Sequence, residues 1–204
     1  MLTLFHAPRS PFSFKVRILA HELGIAGTID FATTDPWTDE QLRRFNPLCK
    51  VPTLLLSDGA TALYDSPVIC AYLRELSGRD LGKSAGSEPW EALRMEALAD
   101  GLAEAVIRRF LERRKSSVSD RETAVRRQEA AIAAALDELD RGAPALARGP
   151  TVGAIATAAT LIYMRFRSPE ILWSDGRERL SAWFEAFEQR PSVAAANFTL
   201  PASG

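Results

Sequence analysis

The sequence predicts an α/β unit followed by an all-α unit. In the first third of the chain, short apolar runs of strand length alternate with helical patterns in the order β-α-β-α-β-β-α. After about residue 89, every apolar pattern has helical spacing. A stretch that contains glycines and serines, residues 79–89, separates the two patterns and is typical of a linker. We therefore expect two domains, at residues 1–79 and 88–204.

The first domain opens with a predicted strand over residues 2–6. Ser10 and Pro11 are residue types preferred at the N-cap and the first position of a helix. We expect this helix to end at Gly24, since glycine commonly follows the last helical residue. An alternating pattern over residues 28–33 predicts the second strand.

The middle of this domain is expected to contain a short helix and a hairpin. The helix begins near Thr38 and ends before Asn46-Pro47, because proline does not continue a helix. Residues 51–57 and about 60–64 predict two strands joined by a turn at Asp58-Gly59. A further helix follows the hairpin.

That last helix of the first domain is predicted to have Ser66 as its N-cap and to end at Gly78. The second domain has four predicted helices, at residues 89–115, 120–141, 151–167 and 177–189. A basic run from Arg108 to Lys115 lies on the first of them. We expect this run to be a solvated helix face rather than a site for an acidic partner.

The composition narrows the class of protein. The chain has 204 residues, of which 47% are hydrophobic, and its 25 basic and 26 acidic residues leave a net charge of -1. Such a balance gives no general attraction to nucleic acid or to an anionic membrane, so we expect neither as a partner. No apolar run approaches the roughly 20 residues of a membrane helix, and the N-terminus lacks the pattern of a signal peptide. The expected location is the cytoplasm.

Cysteine and histidine are scarce in this sequence. The two cysteines, Cys49 and Cys70, exclude a disulfide framework and a Cys-x-x-Cys zinc site. The two histidines, His6 and His21, exclude a histidine-rich metal centre, and a Ser-His-Asp triad would have to use one of them. We therefore expect no metal.

The first candidate site is Ser10, at the start of the first helix. A helix N-terminus has free N–H groups and the positive end of the helix dipole, so it stabilises an anion such as a thiolate. A dithiol enzyme would carry Cys-x-x-Cys here, whereas this chain has Ser10 and Ser13 and cannot exchange a disulfide at this place. The Ser10 hydroxyl can donate a hydrogen bond to the thiolate of a bound thiol. From the residues alone, a simple N-cap is the more common role of such a serine.

The second candidate site is the segment Lys50-Val51-Pro52, before the hairpin. A cis bond before Pro52 would turn the Val51 N–H and C=O towards a ligand, and Lys50 would neutralise a ligand carboxylate. The alternatives are a trans proline at a strand entrance and a solvated lysine.

The third candidate site is Asp65-Ser66, at the start of the last helix of the first domain. The helix N-terminus would present N–H groups to a carboxylate, while the Asp65 carboxylate would accept from an ammonium group. Together they suit the head group of an amino acid. Simple capping accounts for both residues equally well.

These segments and two later ones occur together in one known family. They are Ser10-Pro11-Phe12, Asn46–Pro52, Tyr64–Ile69, Glu96–Gly101 and Arg190-Pro191-Ser192. With them, the chain resembles the glutathione S-transferase superfamily over its whole length, and in particular bacterial serine-type members with a DSPVI motif.

The resemblance implies a thioredoxin-like N-terminal domain (βαβαββα), an all-helical C-terminal domain and a homodimer. It also implies that glutathione is the co-substrate and that its thiolate is conjugated to a small electrophile, in detoxification. Ser10 would then be the catalytic hydroxyl that stabilises the thiolate. The electrophile would lie on the Phe12 side of the bound glutathione, towards the helical domain.

The resemblance also implies roles for the other candidate residues. Val51 would pair with the cysteinyl backbone of glutathione, beside a cis Pro52. Asp65 and Ser66 would hold the γ-glutamyl end, and Lys50 would approach the glycine carboxylate. Phe12 completes the set that the family pattern assigns to glutathione binding.

The chain departs from the family pattern at two places. Cys49 stands where the family often has glycine, and Thr151 can cap its helix but lacks the carboxylate of a capping box at Ala154. Besides conjugation, the sequence leaves two alternatives open. One is a glutathione- or ligand-binding protein of the same fold without turnover, and the other is a glutathione-dependent reductase of a peroxide or disulfide that uses Cys49.

Overall fold

A computed structural model describes residues 1–79, 81, 89–114 and 118–198. These residues fall into two units, divided after Leu81 and again after Glu188. Most of the predicted linker, residues 80 and 82–88, lies outside the described residues, as does Lys115 of the basic run. None of the described helices is both long and apolar enough to cross a membrane.

The first unit is built on a four-stranded mixed sheet in the order β2-β1-β3-β4. The strands are β1 (Leu2–His6), β2 (Ile29–Thr33), β3 (Thr53–Leu55) and β4 (Ala62–Leu63). Strand β1 pairs with β2 in parallel and with β3 antiparallel, and β3 and β4 form an antiparallel hairpin. The unit's helices are α1 (Pro11–Glu22), α2 (Ser66–Ser77) and α7 (Pro191–Ala196).

The core of this unit lies where the sheet meets α1 and α2. Large apolar side chains from all of these elements are almost wholly buried: Leu4, Phe14, Ile18, Leu54 and Ile69, each at most 1% exposed.

The predicted helix near Thr38 is instead a short 3-10 helix, Glu40–Arg44. It follows another 3-10 helix, Ala26–Thr28, that precedes β2. The Asp39 carboxylate caps it by accepting the Gln41 N–H at 3.0 Å. Only a few residues separate this cap from Asn46-Pro47, so the segment has room for no more than a short helix before proline ends it. The predicted strands of the hairpin are likewise shorter in the structure.

Helix α7 packs against α1, although the sequence analysis assigned residues 88–204 to the helical domain. The Glu22 carboxylate, at the end of α1, accepts bonds of 2.6 and 2.9 Å from the Arg190 guanidinium and one of 2.5 Å from the Ser192 hydroxyl. These three bonds hold the start of α7, so the end of the described chain belongs to the first unit.

The second unit consists of α3 (Pro89–Glu112), α4 (Val118–Leu146), α5 (Val152–Arg167) and α6 (Glu178–Glu188). Helix α5 is buried along almost its whole length and packs against α3, which also packs against α4. As expected, Thr151 caps α5: its hydroxyl oxygen accepts the Ala154 N–H at 3.2 Å.

Helix α4 continues past its predicted end at Gly142 and includes Pro144. A Cβ at Gly142 would lie 2.6 Å from the Met95 Cε atom of α3. Gly142 thus lies inside α4 with the tip of the Met95 side chain packed against it, and a glycine in such a position looks like a helix stop in the sequence pattern.

The basic run on α3 is only partly a solvated face. Arg109 is 6% exposed and donates to Glu129 and Glu170 at 2.9 and 2.8 Å. Arg113 donates to the same Glu170 at 2.8 Å, while Arg108 stays on the surface. This part of the prediction is therefore wrong for Arg109, which cross-links helices instead.

Candidate functional site

The sheet register brings the three candidate segments to one edge. Strand β1 ends at this edge, and its Phe5 pairs with Thr53, the first residue of the antiparallel β3. Strand β4 runs back along β3, with Leu63 opposite Leu54, and so ends at the same edge. The residues that follow β1, precede β3 and follow β4 therefore meet there, and these residues contain Ser10, Lys50-Val51-Pro52 and Asp65-Ser66.

Ser10 is the N-cap of α1, as predicted. Its backbone is extended, with φ -83° and ψ 124°, and its side-chain oxygen accepts the Ser13 N–H at 3.2 Å. A hydroxyl that accepts a hydrogen bond keeps its own proton to donate. The Ser10 side chain is half-buried, so this proton is available to a ligand at the sheet edge.

The N-terminus of α1 has the electrostatics that favour an anion. Its first turn contains no acidic residue, so nothing there offsets the positive end of the helix dipole. Phe12 is half-buried in this turn. The Ser13 hydroxyl is fully buried and has no hydrogen-bond partner among the described residues, so Ser10 is the serine of this pair that faces the edge.

The peptide bond between Val51 and Pro52 is cis, as expected. Val51 lies just before β3 and is half-buried. Neither its N–H nor its C=O is bonded to another residue of the described chain. These two backbone groups can therefore pair with an extended peptide. Lys50, beside them, is exposed.

Asn46 is not among the predicted site residues, yet its side chain holds the loop before β3 in place. It is 1% exposed, and its side-chain amide donates to the Lys50 carbonyl at 3.1 Å and to the Thr53 hydroxyl at 3.0 Å. Its side-chain oxygen accepts the Leu48 N–H at 3.0 Å. One buried side chain thus fixes the loop that carries Val51. In the sequence, Asn46 is the residue before Pro47 and the first of the segment Asn46–Pro52, and neither fact indicates its buried hydrogen bonds.

Asp65, not Ser66, is the N-cap of α2, which corrects the predicted capping. The Asp65 side chain makes no capping hydrogen bond and is exposed, so its carboxylate can accept from a ligand. Ser66 is the first helical residue and is 2% exposed. The peptide bond between Tyr64 and Asp65 is also cis. The predicted helix N-terminus is present, one residue earlier than expected.

Cys49 has a positive φ of 51°, a conformation that glycine adopts without strain. This explains why glycine is the usual residue here in the family that the chain resembles. The Cys49 thiol donates to the carbonyls of Pro36 and Asp39 at 3.5 and 3.6 Å. Its sulfur is therefore held against the loop after β2, which favours a structural role over a redox one.

The two histidines do not form a catalytic triad with Ser10. His6 is 5% exposed, and burial followed by the charge of Arg17 lowers its pKa to about 4. Its Nε2 lies 3.5 Å from the Thr33 hydroxyl. His21 stacks on the Phe31 ring, and the same two causes lower its pKa. Both rings are neutral at pH 7 and take part in packing.

Comparison with known protein families gives one match in each of the two units. Residues 9–76 match the family model "Glutathione S-transferase, N-terminal domain", and residues 122–186 match "Glutathione S-transferase, C-terminal domain". The chain is 32% identical over 192 residues to the uncharacterized GST-like protein YibF of Escherichia coli K12, with 91% of this chain and 93% of that protein covered.

Two solved structures of bacterial proteins are similar to the whole chain. A glutathione transferase family member from Pseudomonas fluorescens Pf-5, crystallised with bound glutathione, is 35% identical with a TM-score of 0.88, over 96% of this chain and 98% of that one. A glutathione S-transferase from Methylobacterium radiotolerans, in complex with glutathione sulfonate, is 28% identical with a TM-score of 0.85, over 100% and 98%. They confirm the predicted fold class, a thioredoxin-like N-terminal domain followed by a helical C-terminal domain.

Proposed function

Because the chain belongs to the glutathione S-transferase family, we propose that it is a glutathione transferase that conjugates glutathione thiolate to a small electrophile. The observation that carries the proposal is the capped N-terminus of α1, where the half-buried Ser10 hydroxyl stands at the sheet edge with a proton to donate. Structural relatives of the chain were crystallised with glutathione and with glutathione sulfonate.

Each of the three residues of glutathione would have a partner group of suitable chemistry at this edge. The Val51 N–H and C=O would pair with the cysteinyl backbone in the manner of a short strand. The exposed Asp65 carboxylate would accept from the γ-glutamyl ammonium, while the N–H groups at the start of α2, beside Ser66, would hold its carboxylate. Lys50 would neutralise the glycine carboxylate.

The Ser10 hydroxyl and the α1 N-terminus would then lower the pKa of the bound thiol. A decrease of ~2 units corresponds to about 2.7 kcal/mol of preferential thiolate stabilisation. One hydrogen bond to a charged group together with a helix N-terminus supplies an energy of this order. The thiol proton leaves to solvent, the sulfur attacks the electrophilic carbon, and the leaving group, such as a halide, departs with the bonding electrons.

The remaining assignments belong to the same proposal. The electrophile would contact the sulfur from the Phe12 side, as the family pattern implies. We further propose that the protein works as a homodimer in the cytoplasm, in detoxification. Its near-neutral charge agrees with a small-molecule substrate rather than with nucleic acid as a partner.

The decisive experiment compares Ser10→Ala with Ser13→Ala, using glutathione and chlorodinitrobenzene as substrates. Loss of the donor to the thiolate should reduce kcat by about 100-fold in Ser10→Ala, with glutathione affinity kept within about twofold. Ser13→Ala is the matched control, because the buried Ser13 hydroxyl has no partner among the described residues. It should retain wild-type turnover.

The outcomes separate the candidate functions. Unchanged turnover in Ser10→Ala would remove Ser10 from the mechanism. If calorimetry shows that the wild type binds glutathione but no electrophile is turned over, the protein is a binding module of the same fold. A reductase would be revealed by peroxide- or disulfide-dependent oxidation of glutathione in place of conjugation.

A further inference from the structure

The loop between β1 and α1 carries Ser10 and is held at two backbone positions. The Ser10 N–H donates to the Ala7 carbonyl at 3.1 Å, and the Pro8 carbonyl accepts a bond of 3.2 Å from the Arg17 guanidinium. Arg17 follows Ser10 by about two helical turns. Helical side chains lean towards the helix N-terminus, so the Arg17 side chain reaches back along α1 to the loop that precedes it.

Arg17 is a buried cation, with 7% of its surface exposed. Burial lowers its pKa to about 10, so it stays protonated at neutral pH. Within the described part of the chain, no carboxylate pairs with it; its Nη atoms donate to the carbonyls of Pro8 and Asn197, and its Nε has no partner. The titratable groups that feel its charge are His6 on β1 and His21 on α1, both neutral at pH 7.

The bond from Arg17 to Asn197 joins α1 to the end of the described chain. Asn197 follows α7 in a left-handed conformation, and its carbonyl lies 3.3 Å from an Arg17 Nη atom. Next to Asn197, the Phe198 ring packs edge-on against the Phe14 ring of α1, with 5.1 Å between the ring centroids. The Arg17 guanidinium lies over the same Phe14 ring, 5.5 Å from its centroid. The guanidinium and the two rings form one cluster beside the Ser10 loop.

We propose that Arg17 is a positioning residue, which fixes the Ser10 hydroxyl by tying the Pro8 carbonyl to the chain at Asn197. The inference rests on the proposed function, in which Ser10 stabilises the thiolate. A donor must be held closely to its productive geometry, and a small displacement weakens it strongly. Lysine does not replace arginine here, since a single ammonium lacks the planar fork that joins two carbonyls.

The test compares Arg17→Lys with Arg190→Met. The control removes the two bonds from Arg190 to Glu22, which also hold α7 to α1, but leaves the Pro8 carbonyl bonded. Arg17→Lys should lower kcat about tenfold. In the pH profile of kcat/KM, the acid limb should move upward by about one pH unit, while the affinity for glutathione stays within about twofold of the wild type. Amide hydrogen exchange of residues 7–14 should become faster. Arg190→Met should lower stability without either kinetic change.

Several results would overturn the proposal. Arg17→Lys with wild-type exchange in residues 7–14 would show that the bond to Pro8 does not hold the loop. An equal shift of the acid limb in Arg190→Met would reduce Arg17 to a general structural role. If the wild type binds glutathione without turnover, the proposed function fails. The positioning role of Arg17 is then tested by two measurements that need no turnover, hydrogen exchange of residues 7–14 and the ultraviolet absorbance of the bound glutathione thiolate.

Discussion

At the scale of single residues, Asn46 shows how one side chain prepares a binding loop. Its amide satisfies the Lys50 carbonyl and the Thr53 hydroxyl, and its oxygen satisfies the Leu48 N–H. The loop therefore holds its shape without using the Val51 backbone groups, which are left to pair with a ligand. A buried amide with every bond made is well suited to this task.

We predict that Asn46→Ala weakens glutathione binding about tenfold while kcat at saturation changes little. The substitution removes the acceptor of the Leu48 N–H and one of the two donors to the Lys50 carbonyl, which then keeps only the Thr53 hydroxyl, so the Val51 backbone loses its fixed orientation. Isothermal titration calorimetry measures the affinity. Leu48→Ala, in the same loop but on an exposed side chain, is the control and should bind normally. Wild-type affinity in a folded Asn46→Ala protein would contradict this assignment.

Local signals in the sequence were sufficient to predict the helix cap at Ser10. They were insufficient to predict the cap of α2 and the hydrogen bonds of Asn46. The cap at Ser10 depends only on the next few residues, so Ser-Pro predicted it. The cap at α2 was placed one residue late because Ser66 is the better capping type, whereas Asp65 occupies the position without using its side chain. The network of Asn46 depends on how a loop closes on itself, which composition and spacing do not record.

At the scale of elements, helix α7 is held to α1 by a partly buried ion pair. The Arg190 guanidinium contacts both Glu22 oxygens, and the Ser192 hydroxyl adds a third bond. Burial opposes ionisation of Glu22, but the bonds from Arg190 and Ser192 outweigh it and hold the pKa of Glu22 below its ordinary value. This carboxylate is therefore ionised in the folded protein at neutral pH and links the two helices.

We predict that Glu22→Gln lowers the free energy of unfolding at pH 7 by about 2 kcal/mol. The neutral amide keeps the shape of the side chain but loses the charge that Arg190 pairs with. Because the folded-state pKa of Glu22 is depressed, its contribution is present above pH ~4.5 and is lost as the pH falls through the folded pKa. Urea titration measures the effect, with Glu75→Gln on the exposed face of α2 as the control. Equal stability of the two variants would contradict it.

The sequence predicted long elements better than short ones. Apolar spacing located α1 and α3, whose patterns extend over several turns. Helix α7 was missed because six residues, mostly small, give no amphipathic pattern, and its place is decided by contacts with a distant segment. The predicted end of α4 differs from the structure because a glycine is typical of a helix stop, whereas Gly142 lies inside the helix, against the Met95 side chain.

At the scale of the whole molecule, the two-unit division follows from the order of the elements. Strands and helices alternate only in the first third, so the sheet forms there; helices α3 to α6 pack among themselves, and α7 alone of the later described helices returns to the first unit. The mixed sheet, with one parallel and two antiparallel pairs, gathers three loops at one edge. Sequence patterns gave the strand order along the chain, while the family resemblance was needed for the pairing.

We predict that the stability of the protein falls between about pH 6.5 and 4 and that His6→Gln flattens this fall. The folded-state pKa of His6 is about 4, below its ordinary value of 6.5. Between these values the unfolded chain binds the extra proton, so stability decreases as the pH falls, by up to about 1.4 kcal/mol per pH unit. Denaturant titrations at several pH values measure the slope.

His21→Gln serves as the comparison, because His21 is less buried and its pKa is lowered by the same two causes. Its effect on the slope should be smaller than that of His6→Gln. A slope that neither substitution changes would show that other groups govern the acid sensitivity of the protein.

The sheet register also determines where the protein tolerates added chain. The hairpin turn lies at the edge opposite to the three loops, since β3 runs away from them before β4 returns. There the Asp58 carboxylate closes the turn by accepting the N–H groups of Ala60 and Thr61 at 3.0 and 2.9 Å. A fluorophore or a linker attached to the exposed side chain at position 60 would keep these bonds and lie on the far side of the sheet. The molecule could be immobilised by it for binding measurements with its ligand edge facing the solvent.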